Sequence, residues 1–139
     1  MKTPKIIAFV DGAARGNPGP AAAGVVLQDG SGKILKTLSV PLGRQTNNTA
    51  ECCALILALQ EALMLGAKEL HVHADSELVV RQFNGEYKVK EDSLKALHGL
   101  AAHLKGAFKA ITVSHVPREK NRLADAEANR ALDKLDFFA

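Results

Sequence analysis

Hydrophobic positions along the chain fall into blocks, and each block has the period of a strand or of a helix. Residues 6–10 are all apolar and are followed at once by Asp11 and Gly12. An unbroken apolar run of this length predicts a strand that is buried on both faces, at the centre of a sheet. We therefore expect Asp11 to stand at the carboxyl end of a central strand, which is where open α/β sheets place their ligands.

Two further strands follow the first one. Residues 22–28 and 33–40 are strand-like and are separated by residues 29–32 (Asp-Gly-Ser-Gly), which are a strong turn signal. The first three strands are therefore predicted to form an antiparallel meander. Lys33 and Lys36 would protect the third strand at an exposed edge of the sheet.

The rest of the chain alternates between helical and strand-like segments. Asn48 is a favourable N-cap for a helix that runs to Leu65 and ends at Gly66, with Glu51 in its first turn. A helical connection places the next strand, residues 69–74, parallel to another strand, most simply the first. The remaining predicted elements are helices at 76–84, 93–105 and 121–135 and a strand at 110–116. The predicted fold class is α/β: a mixed five-stranded sheet, with three antiparallel strands and then two parallel ones, and helices packed on it.

Composition is that of an ordinary globular protein. With 139 residues, 47% of them hydrophobic and 24% charged, the chain is predicted to form one domain over residues 1–139. It has no apolar run near the roughly 20 residues that span a bilayer, so we expect a cytoplasmic protein without a membrane partner. We also expect a monomer. The adjacent Cys52 and Cys53 are expected to be buried thiols, and the apolar tail at 137–139 is expected to fold back on the core. The net charge of +3 favours a polyanionic partner only mildly.

Four acidic residues stand at the ends of predicted elements: Asp11, Glu51, Asp75 and Asp125. If the first and fourth strands are parallel neighbours, Asp11 and Asp75 emerge side by side, and the following helix can bring Glu51 alongside. Each residue also has a purely structural explanation. Asp11 would be a turn residue, and Glu51 would form a capping box with Asn48. Asp75 would cap a helix, and Asp125 would complement the dipole of the last helix.

Convergence of these carboxylates predicts a metal site. Several carboxylates beside low-dielectric walls repel one another and raise each other's pKa. Hard divalent cations relieve this repulsion, and a donor set of oxygen atoms alone suits Mg²⁺ or Mn²⁺ rather than zinc. Two such ions about 4 Å apart are an arrangement used for in-line displacement at phosphorus.

Four motifs taken together resemble ribonuclease H type 1. They are Asp11-Gly12-x-x-x-Gly16-Asn17-Pro18-Gly19-Pro20, Arg44-Gln45-Thr46-Asn47-Asn48-x-x-Glu51, Asp75-Ser76, and His115 ten residues before Asp125. The resemblance covers nearly the whole chain and implies a ribonuclease H-like fold. It also implies a metal-dependent endonuclease that cuts the RNA strand of an RNA/DNA hybrid and leaves a 3′-hydroxyl and a 5′-phosphate.

The resemblance implies roles for the four carboxylates and for two residues near them. Asp11 would bridge two Mg²⁺ ions, with Mn²⁺ as a substitute. Asp125 would help hold the ion that activates water, while Glu51 and Asp75 would hold the other. Glu51 would also accept a hydrogen bond from a 2′-hydroxyl, the group by which a site distinguishes RNA from DNA. His115 would assist proton transfer or product departure, unless it is a strand-end histidine without a role; Arg118 would share or take over that task.

The resemblance also implies contacts with the substrate. Arg44 and Thr46 match a pocket that grips a DNA phosphate. Positions that contact the minor groove and 2′-hydroxyls are matched by Gly12, Ala13, Asn17, Asn47 and Asn48. The structural alternatives are helix capping for Asn47 and Asn48 and a turn for Asn17, but polar groups beside a metal site usually act on it.

The chain departs from many members of the family between residues 85 and 92. A helix and basic loop stand there in those members, whereas this chain has only a short link with Lys88 and Lys90, and it has no tryptophan to seat DNA. The chain resembles the compact type, which lacks the basic protrusion. We therefore expect weaker and more salt-sensitive hybrid binding, with less sharp exclusion of double-stranded RNA.

Three rival interpretations fit the residues less well than this resemblance. A binding-only descendant predicts the loss of at least one carboxylate, and none is lost. A flavodoxin-like module would need a phosphate loop after the first strand, where Asp11 stands instead. A nuclease that acts on DNA alone would not explain residues 44–51, which match positions that contact an RNA/DNA hybrid in the family.

Overall fold

The structure is a computed structural model that describes residues 5–138, with side chains through Leu135. Five strands form one sheet: β1 (Lys5–Ala14), β2 (Gly19–Asp29), β3 (Ile34–Gln45), β4 (Glu69–Ala74) and β5 (Ala110–His115). The helices are α1 (Asn47–Met64), α2 (Glu77–Phe83), α3 (Asp92–Lys105), a short 3-10 helix (Arg118–Lys120) and α4 (Arg122–Phe138). The predicted order of strands and helices is confirmed.

The sheet has the strand order β3-β2-β1-β4-β5. The pairs β1–β2 and β2–β3 are antiparallel, whereas β1–β4 and β4–β5 are parallel. This topology confirms the predicted fold class, with β1 at the centre and β3 at an edge. Val10 pairs with Ala74 at the end of the parallel ladder, so the residues that follow them, Asp11 and Asp75, lie side by side. Strand β4 ends there, whereas β1 continues to Ala14 in its pairing with β2, so Asp11 is not at the end of its strand as predicted.

Helices cover the sheet on two faces because side chains alternate along each strand. Ile6, Ala8 and Val10 of β1 join one buried apolar cluster with residues of α1, including Leu55 and Leu59. On the opposite face of the sheet, Ala22 of β2 packs with Ala131 and Leu132 of α4. Ile7 and Phe9 alternate with these residues and are only partly buried, so β1 is fully buried on one face and not on both as predicted.

Helix α1 begins differently from the prediction. Its N-cap is Thr46, whose hydroxyl accepts a hydrogen bond from the Thr49 N–H at 3.2 Å, so Asn48 is not the cap. Glu51 consequently lies in the second turn of α1 and not in the first, and the proposed capping box with Asn48 is wrong. Release from capping leaves Glu51 available for another role.

The cysteines and the tail complete the comparison with the predicted fold. Cys52 is buried as expected, but Cys53 is only partly buried, and both thiols are free. Burial raises the pKa of Cys52 to about 12 and also raises that of Cys53, so neither is an activated thiol. Helix α4 continues to Phe138; the packing predicted for the tail at 137–139 concerns side chains outside the described residues. No helix within residues 5–138 is both long enough and apolar enough to cross a membrane.

Candidate active site

The four predicted carboxylates meet in one open pocket at the carboxyl end of the parallel ladder between β1 and β4. The pocket has a volume of about 330 Å³ and is lined by Asp11, Gly12, Ala13, Asn47, Glu51, Asp75, Arg118 and Asp125. One carboxylate oxygen from each of Asp11, Glu51 and Asp75 lies within 4.8 Å of the other two. Asp125 is close enough to Asp11 for its charge to raise the pKa of that residue. Residues from a strand, two helices and a strand end are thus gathered into one acidic pocket.

Asp11 and Glu51 are held in a setting that opposes their negative charge. Burial is the largest cause that raises the pKa of Asp11, to about 7, and the neighbouring Asp75 and Asp125 raise it further. Burial and then the charge of Asp11 also raise the pKa of Glu51. Within residues 5–135, no group is hydrogen-bonded to Glu51 Oε2, although this atom is buried. A divalent cation fits the pocket, because it would satisfy that oxygen and neutralise the carboxylates together.

The close approach of α1 to β1 places Glu51 beside Asp11. A Cβ atom at Gly12 would lie 2.2 Å from both the carbonyl carbon of Ala50 and the backbone nitrogen of Glu51. Only glycine fits such a backbone contact. The Gly12 N–H also donates a hydrogen bond to the Glu51 carboxylate, which lowers the pKa of Glu51 against the larger effect of burial.

A second glycine brings α4 onto the sheet. Gly24 lies directly across from Asp11 in the antiparallel ladder. A Cβ atom at this position would stand 2.1 Å from the Ala124 carbonyl oxygen and 2.5 Å from the Ala128 backbone nitrogen. The first turns of α4, which carry Asp125, therefore touch the sheet directly beside Asp11.

Asp75 is not used as a helix cap. Ser76 is the N-cap of α2, and its hydroxyl accepts a hydrogen bond from the Val79 N–H at 3.3 Å. The structural alternative for Asp75 is therefore removed, and its carboxylate faces the pocket with Asp11 and Glu51.

This geometry agrees with comparisons against known proteins. A family model described as reverse transcriptase-like matches residues 9–131. The crystal structure of RNase H1 from Halobacterium salinarum NRC-1 superposes with a TM-score of 0.91 at 42% identity, over 94% of this chain and 98% of that chain. The chain belongs to the ribonuclease H type 1 family.

Other members of the ribonuclease H family share the fold and much of the sequence. LC11-RNase H1, solved in complex with an RNA/DNA hybrid, has a TM-score of 0.89 and 47% identity over 94% of this chain and 98% of its own. "Ribonuclease HI" of Halobacterium salinarum is 43% identical over 129 residues, which are 93% of this chain and 65% of that protein. "Bifunctional protein Rv2228c" of Mycobacterium tuberculosis is 42% identical over 93% of this chain, but the match spans 36% of its length. The chain thus spans less than two thirds of these two curated relatives.

The asparagines predicted from the ribonuclease H motifs join the loop after β1 to the start of α1. Asn47 Oδ1 accepts a hydrogen bond from the Ala14 N–H at 3.0 Å. Asn17 Oδ1 in turn accepts one from the Asn47 N–H, also at 3.0 Å. Both amides therefore have a structural function, and Asn47 also lines the acidic pocket. Asn48 lies beside it, in a neighbouring groove that also contains Tyr87, Lys88 and Lys90.

His115 and Arg118 are separated by the structure. His115 is the last residue of β5 and lines a different pocket, between β5 and α2. Arg118 lies in the acidic pocket, with its Nη2 atom 3.9 Å from Asp125 Oδ1. The residue placed beside the carboxylates is therefore Arg118, whereas the histidine lies outside this pocket.

Sequence reasoning missed two residues that hold the site together. The strand pattern marks Gly24 only as part of a strand, although the helix contact described above depends on it. The helical pattern marks Asn121 only as the start of the last helix, but its side chain is buried and its Nδ2 atom donates to the Val10 carbonyl oxygen at 2.7 Å. The available signal was the spacing of Asn121, which is one helical turn before Asp125.

Proposed function

We propose that this chain is an endoribonuclease that hydrolyses the RNA strand of RNA/DNA hybrids with two Mg²⁺ ions, for which Mn²⁺ can substitute. Asp11, Glu51, Asp75 and Asp125 would hold the ions, and the products would carry 5′-phosphate and 3′-hydroxyl ends. The observation that carries this proposal is the convergence of three carboxylate oxygens within 4.8 Å, beside a buried Glu51 oxygen without a hydrogen-bond partner in the described part of the chain.

The carboxylates supply a fixed negative cavity for the cations. Bound divalent ions would act as Lewis acids that lower the pKa of water and stabilise charge on the leaving oxygen. The charges of Asp75 and Asp125 both act on Asp11, so Asp11 is the carboxylate that would be shared by the two ions. Asp11 and Glu51 must lose any shared proton when a cation enters, so their raised pKa values make cation binding depend on pH.

Contacts with the substrate are assigned to groups around this cavity. The backbone at Gly12 and Ala13 borders the carboxylates, and the amide groups of Asn17, Asn47 and Asn48 are proposed to donate to the minor groove and to 2′-hydroxyls. Arg44 would bind a phosphate of the DNA strand next to Thr46, whose hydroxyl caps α1. The groove beside Asn48 supplies Lys88 and Lys90 for the same duplex.

Arg118 is the better placed of the two residues proposed to assist turnover. A guanidinium group keeps its charge throughout the physiological range of pH and cannot transfer a proton readily. Arg118 is therefore assigned to attract the scissile phosphate, or the product phosphate, towards Asp125. His115 would contribute only after movement of the end of β5 towards the acidic pocket.

The experiment uses end-labelled RNA/DNA, RNA/RNA and DNA/DNA duplexes of one sequence, incubated with Mg²⁺, Mn²⁺ or EDTA. We expect cleavage of the RNA strand of the hybrid with either ion and none with EDTA, with weaker cleavage of double-stranded RNA. The product ends are identified by ligation and by polymerase extension. Cleavage of DNA/DNA would favour the nuclease acting on DNA alone, and cleavage in EDTA would contradict the role of the metal.

A further inference from the structure

Asn121 is the most buried polar residue in the described part of the chain. Its exposed fraction is 1%, compared with 5% for Asp11 and 9% for Glu51. Burial of an amide costs free energy unless hydrogen bonds replace the lost water. Asn121 has such a bond at only one end, because its Oδ1 atom is buried without a hydrogen-bond partner among the described residues. The hydrogen bond that the side chain does make, through Nδ2, therefore indicates its role.

That bond joins α4 to the strand that carries Asp11. Asn121 Nδ2 donates to the Val10 carbonyl oxygen at 2.7 Å, and Val10 directly precedes Asp11. The backbone carbonyl oxygen of Asn121 accepts from the Asp125 N–H at 3.1 Å, and its own N–H donates to the Arg118 carbonyl oxygen at 2.9 Å. A single residue is thus bonded to the segments of Asp11, Asp125 and Arg118.

The packing contacts of α4 near this point do not fix its orientation, and a hydrogen bond from the sheet, in which the Ser39 hydroxyl donates to the Glu127 carbonyl oxygen, lies more than one turn further along the helix. Gly24 allows the helix to lie against β2, and Ala22 packs with Ala131 and Leu132. These contacts set how closely the helix approaches, but van der Waals packing has little directionality. The Asn121 bond is directional, since hydrogen bonds weaken steeply when the donor angle falls. It can therefore fix the rotation and the axial position of the first turn of α4.

We propose that Asn121 is a positioning residue that ties Asp125 to Asp11 and thereby sets the spacing of the cation ligands. The inference rests on the proposed role of the carboxylates as cation ligands. Mg²⁺ and similar ions require nearly ideal geometry, with oxygen atoms at about 2.1 Å. A displacement of Asp125 on the order of 1 Å would therefore weaken cation binding, while contacts with the nucleic acid elsewhere would remain.

The test compares Asn121→Asp, Asn121→Ser and Asn121→Ala with the wild-type protein. The Asp variant keeps the shape of the side chain but places a carboxylate oxygen against the Val10 carbonyl. The Ser variant retains a donor, although a shorter one. The matched control is Asn129→Ala: Asn129 is also on α4, but its Nδ2 atom donates to the Asp125 carbonyl oxygen within the same helix, at 3.1 Å, and not to the sheet.

Mn²⁺ affinity is measured by calorimetry on the free protein, well below the melting temperature of each variant. We expect Asn121→Asp and Asn121→Ala to lose about tenfold in Mn²⁺ affinity, as residues that support metal ligands typically do. In cleavage assays the same variants should need about tenfold more metal at an unchanged KM for the hybrid, while Asn129→Ala matches the wild type. Asn121→Ser should fall between them, and it decides the question if Asn121→Asp does not fold.

The inference is overturned if folded Asn121 variants bind Mn²⁺ like the wild type and lose only thermal stability, or if Asn129→Ala weakens Mn²⁺ binding equally. Its failure is separate from that of the proposed function. If the Asn121 substitutions weaken Mn²⁺ binding but the wild-type protein does not cut hybrids, the proposed function is refuted and this inference is supported. If the wild-type protein cuts hybrids but the Asn121 variants bind Mn²⁺ as tightly as it does, this inference is refuted and the proposed function is supported.

Discussion

Substitution of Asp11 with asparagine is expected to reduce cleavage of an RNA/DNA hybrid by about 10³-fold, equivalent to about 4 kcal/mol of transition-state stabilisation. The neutral amide keeps the size of the side chain but removes the charge proposed to bridge the cations. The measurement is a single-turnover rate at saturating hybrid and Mg²⁺. Higher Mg²⁺ should not restore the rate, since the missing ligand is the one proposed to be shared by both ions.

The same substitution should stabilise the protein when no metal is present. Because burial raises the pKa of Asp11 from 3.8 to about 7, the folded state binds a proton that the unfolded state has lost between these values. Unfolding free energy of the wild type therefore falls as the pH rises through this window. The amide introduced by Asp11→Asn does not titrate, so at pH 8 in EDTA we expect the variant to be more stable by about 1 to 3 kcal/mol, measured by urea denaturation.

A matched control separates this effect from general loss of negative charge. Asp92→Asn removes a carboxylate whose side chain is 99% exposed at the start of α3. It should leave both cleavage and the pH dependence of stability unchanged. Undiminished cleavage by Asp11→Asn would contradict the proposed site, and a lower stability at pH 8 would contradict the electrostatic description of Asp11.

Substitution of Gly12 with alanine should disrupt the site from the backbone. The added Cβ would meet the backbone of Ala50 and Glu51 at 2.2 Å, so β1 and α1 must separate. We expect a loss of at least about 3 kcal/mol of unfolding free energy, at the upper end of the overpacking range because no flexible side chain can yield. Cleavage should fall by at least about 10²-fold even where the variant is folded, because Glu51 moves away from Asp11.

Gly30→Ala is the control for this substitution. Gly30 lies in the turn between β2 and β3, and the nearest atom to an added Cβ would be Lys5 Cδ at 3.9 Å. The same chemical change should therefore be tolerated there. If Gly12→Ala were as stable and as active as Gly30→Ala, the close contact between β1 and α1 would not position the site.

The fold could be predicted because its main determinants are local. The apolar run at residues 6–10 identified the central strand, and the helical crossover fixed its parallel pairing with β4. Three strands extend beyond their predicted bounds: β1 continues past Asp11 to Ala14, β2 begins at Gly19, and β3 ends at Gln45. The extension of β3 contains Pro41 and Gly43. Both residues are tolerated there, since β3 is an edge strand with an irregular register near Ala21.

The start of α1 could not be chosen from the sequence. Thr46, Asn47 and Asn48 are all favourable cap residues. The structure uses Thr46 because the backbone of Asn47 is bonded to Asn17 and its side chain to Ala14, on another part of the chain. Such tertiary bonds are invisible to local propensity, and they change Glu51 from a capping residue into a pocket residue.

The residues of the candidate site differ in how far the sequence could place them. The positions of Asp11 and Asp75 could be predicted, because each residue follows an apolar strand segment and these two strands pair in parallel. His115 and Arg118 lie at and after the end of β5, where the motif fixes their separation along the chain but not their direction. Asn121 and Gly24 act through contacts between α4 and the sheet, which no local pattern specifies.

The most direct test is the position of Mn²⁺ in crystals of the wild-type protein, located by anomalous scattering. We expect a peak within about 2.2 Å of carboxylate oxygens of Asp11, Glu51 and Asp75, and a second peak about 4 Å away, on the side of Asp125, when an RNA/DNA hybrid is bound. A well-ordered site with saturating Mn²⁺ and no peak between these carboxylates would contradict the proposal that they hold the catalytic cations.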